Sequence, residues 1–241
     1  MKLIKTLTSA VVTAGVLFTI SCNSGDEKKG DDTTPKGDSG TTVKAEPNTR
    51  PFNLMIIRHK VKDYAQWLPG YEGHDTARVR FGIHNYIIGR GMDDSNMVMV
   101  ACIMDDVNRA KEFGNLPDLK AAMEKGGVIG KPDVQYLDMQ YIDTSRSTVS
   151  TRVRITHKVK DYDAWKKEFD SHKADRMAAG LQDRAISYEM GNKNMVTVVF
   201  QINDMEKAKA FMSSKDLKDK MAAAGVEGAP MIWYYNFAKR Y

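Results

Sequence analysis

The chain has 241 residues, of which 42% are hydrophobic and 28% charged. That is too apolar for a disordered protein, too charged for an integral helical membrane protein, and long enough for one or two domains. A formal charge of +5 is too mild to argue for nucleic acid, and two cysteines cannot staple a fold of this size.

The first element is an address. Lys2 and Lys5 give a short basic start, residues 6–21 carry no charge, and Cys22 follows. The apolar run is too short for a comfortable membrane span and reads as a signal peptide over residues 1–21. The ending Thr19-Ile20-Ser21-Cys22 resembles a bacterial lipoprotein processing site. This implies that Cys22 becomes the lipidated N-terminus and that the protein sits in the cell envelope, at the outer membrane on its periplasmic or surface side. The membrane is then a partner through the anchor. Residues 22–51 are polar and rich in Asp, Lys, Gly and Thr. Such a segment cannot bury enough surface to offset its ordering entropy and reads as a disordered tether.

The rest of the chain is a repeat. Shifting the sequence by 98 positions superimposes His59-Lys60-Val61-Lys62-Asp63-Tyr64 on His157-Lys158-Val159-Lys160-Asp161-Tyr162, and Trp67 on Trp165. Without a gap, His74 then meets His172, Arg78 meets Arg176, and Gly82 meets Gly180; 30 of the 88 positions from Leu54 to Tyr141 are identical. This is a tandem duplication, with domains at 52–143 and 151–241 joined by a polar connector.

Each copy reads strand, helix, strand, strand, helix, strand. Val153, Ile155, His157 and Val159 alternate with polar residues, the period of a half-buried strand. Asp63 and Asp161 stand as N-caps of a helix whose inner stripe is Tyr64, Trp67, Tyr71, His74 and Arg78, or Tyr162, Trp165, Phe169, His172 and Arg176. Pro69-Gly70 predicts a kink or break in the first copy, and Gly82 and Gly180 mark the helix end. Strands follow near 84–91 and 96–104. A second helix begins after Asp106 or Asp204, with a break near Asn115-Leu116-Pro117, and a last strand spans Asp133–Ile142 or Met231–Ala238. The fold class is α+β: two tandem ferredoxin-like repeats, each leaving one sheet face bare for the other copy to cover.

The run from His59 to Trp67, His74 and Arg78 one helix later, and Gly127-Val128-x-Gly130-x-Pro132 before an aromatic strand resemble the dimeric α/β-barrel superfamily, closest to small antibiotic biosynthesis monooxygenase-like or cyclase-labelled proteins. The resemblance covers residues 53–240. It implies an intramolecular dimeric α/β barrel, a monomer acting as a pseudo-dimer, with a pocket between sheet and helices in each half. It also implies an alternative activity, that of a cofactor-independent monooxygenase or isomerase. Fold alone does not select a function.

Strand and helix geometry brings His59 and His74 to similar heights, and likewise His157 and His172, with Arg78 and Arg176 one turn beyond. With Trp67 and Trp165 these are the candidate ligand-binding residues. Two imidazoles and a guanidinium suit a small aromatic or anionic ligand. The bland alternative is a set of satisfied core groups. No complete catalytic set is visible, so no residue is assigned a catalytic role. Two histidines without a carboxylate at ligand spacing make a poor metal site, and no metal or cofactor is expected. Cys102 and the 15 methionines read as core filler.

Overall fold

A computed structural model describes residues 52–241. The signal segment, the lipidation candidate Cys22 and the tether to residue 51 lie outside the described residues. The first repeat runs β1 (Asn53–Val61), α1 (Tyr64–Gly73), α2 (Asp75–Arg80), β2 (Ile83–Gly91), β3 (Met97–Met104), α3 (Val107–Gly114), α4 (Pro117–Lys125) and β4 (Val128–Ile142). The second repeats that order as β5 (Thr151–Val159), α5 (Tyr162–Ser171), α6 (Lys173–Ala178), β6 (Leu181–Glu189), β7 (Asn192–Ile202), α7 (Met205–Ser213), α8 (Lys215–Ala223) and β8 (Val226–Arg240).

Local chemistry sets the helix starts. Asp63, Asp106, Asp161 and Asp204 are extended residues whose carboxylates accept from the backbone N–H three positions on, satisfying a donor that the first turn leaves free. The first helical segment of each repeat divides at His74 and His172, which end one helix and start the next. The expected break at Pro69-Gly70 does not occur: α1 runs through both. Both residues are exposed, so the hydrogen bond lost at the proline lies on the water side. The last strands start five residues before the sequence places them. Gly130 adopts φ +74°, and the pairing of β4 with β1 shifts register there, so Pro132 falls in an irregularity and the ladder resumes beyond it.

All eight strands close into one antiparallel barrel in the order β1-β3-β2-β8-β5-β7-β6-β4. Each repeat contributes the ferredoxin-like order 4-1-3-2. The free edges of the two sheets pair with each other, β2 with β8 and β4 with β6, so no edge is left open. Three apolar clusters result. One lies between sheet and helices in each repeat, centred on Trp67, Val100 and Phe113 or on Trp165, Val198 and Phe200. The third fills the barrel interior with Leu54, Ile56, Ile87, Met99, Leu137, Met139 and Tyr235. Alternation along each strand decides which cluster a residue joins: Met55 and Ile57 face the helices, Leu54 and Ile56 the interior.

Candidate functional site

The space between β-sheet and helices in the first repeat holds a cavity of about 1010 Å³. Its sheet wall is Met55, Ile57, His59, Val100, Cys102 and Tyr136; its opposite wall is Trp67, Tyr71, Arg78 and the turn between α3 and α4. All four first-repeat candidates, His59, Trp67, His74 and Arg78, line it.

Three of them belong to one stack. His59 meets Trp67 edge-on at 5.5 Å, Trp67 stacks on Tyr71 at 4.9 Å, and the Arg78 guanidinium lies 4.0 Å over the Tyr71 ring. His59 is 7% exposed, and neither ring nitrogen has a partner. Burial disfavours its charged form and pulls its pKa down to about 4, so it is neutral near pH 7. His74 is different. It caps the junction of α1 and α2 and is exposed at the cavity edge.

Arg78 is 4% exposed. It donates to the Tyr71 carbonyl at 2.7 Å, and its nearest carboxylate, Asp75, is 3.4 Å away and half exposed. Its Nε has no partner. Asp75 is instead engaged by Asn85, whose amide donates at 2.6 Å. The Tyr71 hydroxyl donates to the Asn85 carbonyl oxygen and lies 3.6 Å from Cys102 Sγ. Burial first, then the neighbouring thiol, raise the Tyr71 pKa well above that of a free phenol. Burial pushes the Cys102 thiol up to about 11. Tyr71 and Cys102 are therefore neutral hydrogen-bonding groups, and Arg78 is the buried charge of the site.

The second repeat keeps the stack and fills the space. His157 meets Trp165 at 5.5 Å, Trp165 stacks on Phe169 at 5.0 Å, and Arg176 lies 3.6 Å over Phe169. Where the first repeat has Cys102 and Gly114, the second has Phe200, stacked on Phe169, and Met212, packed against the same cluster. Where the first has Asn85, the second has Asp183, which accepts two bonds from Arg176 at 2.8 and 2.9 Å. The fork-to-fork pair neutralises Arg176. His172 binds Asp175 at 3.2 Å, and His157 is neutral, its pKa lowered to about 4 by burial. The two halves thus share a scaffold and differ in what it encloses.

Sequence reasoning missed Asn85, which bonds Tyr71 and Asp75, the cavity-lining Cys102 and Gly114, and the rim lysines Lys111, Lys120 and Lys131. A signal for the first three was present: at each, the aligned copies differ in volume or charge.

No family profile matches the sequence, and no curated protein does. Solved structures do. One described as a "putative monooxygenase" from Fusobacterium nucleatum aligns with a TM-score of 0.53 at 14% identity, over 80% of this chain and 94% of that one. Another so described, from Lactobacillus acidophilus, gives 0.51 at 13% identity over 78% and 94%. An anthrone oxidase-like protein gives 0.52 at 10% identity over 78% and 92%. At such identities the likeness is one of fold. The chain shares with these structures an α+β fold, here an eight-stranded closed barrel built from two ferredoxin-like halves on one polypeptide.

Proposed function

We propose that the first-repeat cavity binds a small aromatic ligand bearing an acidic oxygen, and that Arg78 takes the charge while His59 hydrogen-bonds a second polar group. The observation that carries this reading is the contrast between the two arginines. Arg176 is matched by Asp183 through two short bonds and surrounded by phenylalanine, whereas Arg78 has one long contact, 3.4 Å, with a half-exposed Asp75 and borders a cavity. A buried cation held by one long contact to a solvent-exposed carboxylate favours a further anion from solution. The remaining wall is aromatic and aliphatic, and the volume suits a ligand of two or three fused rings.

The test uses hydroxylated polycyclic phenols and aromatic carboxylates, read by quenching of Trp67. Wild type should bind saturably. Asn85→Asp, which imports the second repeat's counter-charge, should weaken acidic ligands by tenfold or more and leave neutral analogues within twofold. An unchanged affinity of the variant for acidic ligands, or an equal loss for neutral ones, would remove the role of Arg78.

The alternative is catalysis on the same ligand, as a cofactor-independent monooxygenase. It is supported by the descriptions of the structural neighbours and by an unpartnered neutral imidazole in the cavity wall. Oxygen uptake with anthrone-type phenols decides it: equal rates for wild type and His59→Phe would remove it.

We further propose that the domain is held at the outer membrane by lipid on Cys22. Release of the Cys22→Ser chain into the soluble fraction is the expected outcome. An unchanged membrane fraction would oppose it.

A further inference from the structure

The barrel interior holds a second, much smaller cavity of about 70 Å³, well apart from the site above. The first repeat lines it with apolar side chains: Leu54, Ile56, Met99, Leu137 and Ile142. The second lines it with Arg152, Arg154, Arg184 and Arg240. At the 98-residue shift, Leu54 corresponds to Arg152, Ile56 to Arg154, Tyr86 to Arg184 and Ile142 to Arg240. Each arginine therefore stands where its own counterpart is uncharged.

Three of them gather at the end of the barrel where the connector between repeats crosses. Arg152 begins β5, Arg184 lies early in β6 and Arg240 ends β8. Arg152 and Arg240 both lie over the Phe237 ring, at 4.5 and 5.7 Å. One carboxylate serves this group: Asp143 accepts from Arg184 at 2.8 Å. Arg152 is 1% exposed and reaches only the backbone carbonyls of Val149 and Thr151, and its Nε has no partner. Among the described residues neither Arg152 nor Arg240 has a carboxylate partner. Burial lowers the Arg152 pKa to about 10, with Arg184 and Arg240 adding to the effect and Tyr235 and Asp143 opposing it. It stays protonated at neutral pH, so a buried guanidinium in a positive field is left without compensation.

We propose that this end of the barrel interior is a binding site for a small tetrahedral oxyanion, phosphate or sulfate, held by Arg152, Arg184 and Arg240. The volume excludes a drug-sized molecule and admits one inorganic anion. The Nε of Arg152 and the guanidinium of Arg240 supply the donors; Asp143 keeps Arg184 oriented and leaves the group a net charge of +2. Such an anion would tie β5, β6 and β8 to the connector and so stabilise the folded chain.

The experiment measures the thermal midpoint of the full chain against millimolar phosphate, sulfate and acetate, at ionic strength held constant with potassium chloride. Phosphate or sulfate should raise the midpoint saturably by a few degrees, and acetate should not. Arg152→Leu and Arg240→Ile, which install the first repeat's residues, should weaken the half-saturating concentration by tenfold or more. Arg240 is exposed, so Arg240→Ile keeps the test open if Arg152→Leu fails to fold. A shift that is absent in wild type, that does not saturate, or that persists undiminished in Arg240→Ile would overturn the site. An equal or larger effect of acetate would overturn the tetrahedral ligand.

Discussion

At the scale of single residues, His59 and His157 make a pH prediction with a definite sign. Each has its folded pKa lowered from 6.5 to about 4 by burial. Between those values the unfolded chain binds more protons than the folded one. Stability from these groups is therefore complete above about pH 6.5 and is lost as pH falls toward 4. In urea unfolding near pH 5, His59→Phe and His157→Phe should each reduce the pH slope of stability by about one proton. An unchanged slope in both variants would show that the imidazoles are not buried in the neutral form. Cys102 makes a second prediction. Cys102→Phe reproduces the second repeat's filling and should abolish ligand binding while changing stability by no more than about 1 kcal/mol, since the ring enters existing space. A loss of several kcal/mol by chemical denaturation would mean that the cavity is already filled by rearranged side chains. The stack of His, Trp, aromatic ring and Arg was legible in the sequence because both copies keep it. What distinguishes the two halves was harder to read, because the space beside the stack is set by Cys102 and Gly114, which are not shared.

Among elements, the helix ends and the last strands carry the lesson. Period-two and period-3.6 patterns placed the strands and the first helix, because each follows from one residue's neighbours along the chain. The start of β4 was not legible, since Pro132 argues against a strand until the register shift against β1 makes room for it. The proline in α1 misled in the other direction, since only burial reveals that its missing hydrogen bond faces water. Gly180 shows the opposite case, where local chemistry suffices. It has φ +73°, and an added Cβ would stand 2.8 Å from Asp204 Cβ and 2.9 Å from Asp204 N. Gly180→Ala should cost roughly 1–3 kcal/mol by thermal or chemical unfolding. Gly70→Ala, in open space within α1, should gain about 0.5–1 kcal/mol. A reversed order of these two would contradict the backbone described.

For the molecule as a whole, each repeat covers the other's interior face and closes the other's edges. Separating them at the connector should therefore leave neither half as a stable monomer. The first half, residues 52–143, presents an apolar interior face and is expected to self-associate on size-exclusion chromatography. The second, residues 151–241, would bring its own arginines together and is expected to stay unfolded or mixed until the first half is added. A well-folded monomer of either would contradict mutual closure.

The connector itself has a further consequence. In a symmetric homodimer every substitution is made twice, and a guanidinium placed near the axis confronts its own image. Covalent tethering removes that constraint, because the partner is always at hand and need not be identical. One half could give up its pocket to phenylalanine and methionine, and charge could collect on one side of the shared interior. Fusion thus converts a pair of equal subunits into a division of labour.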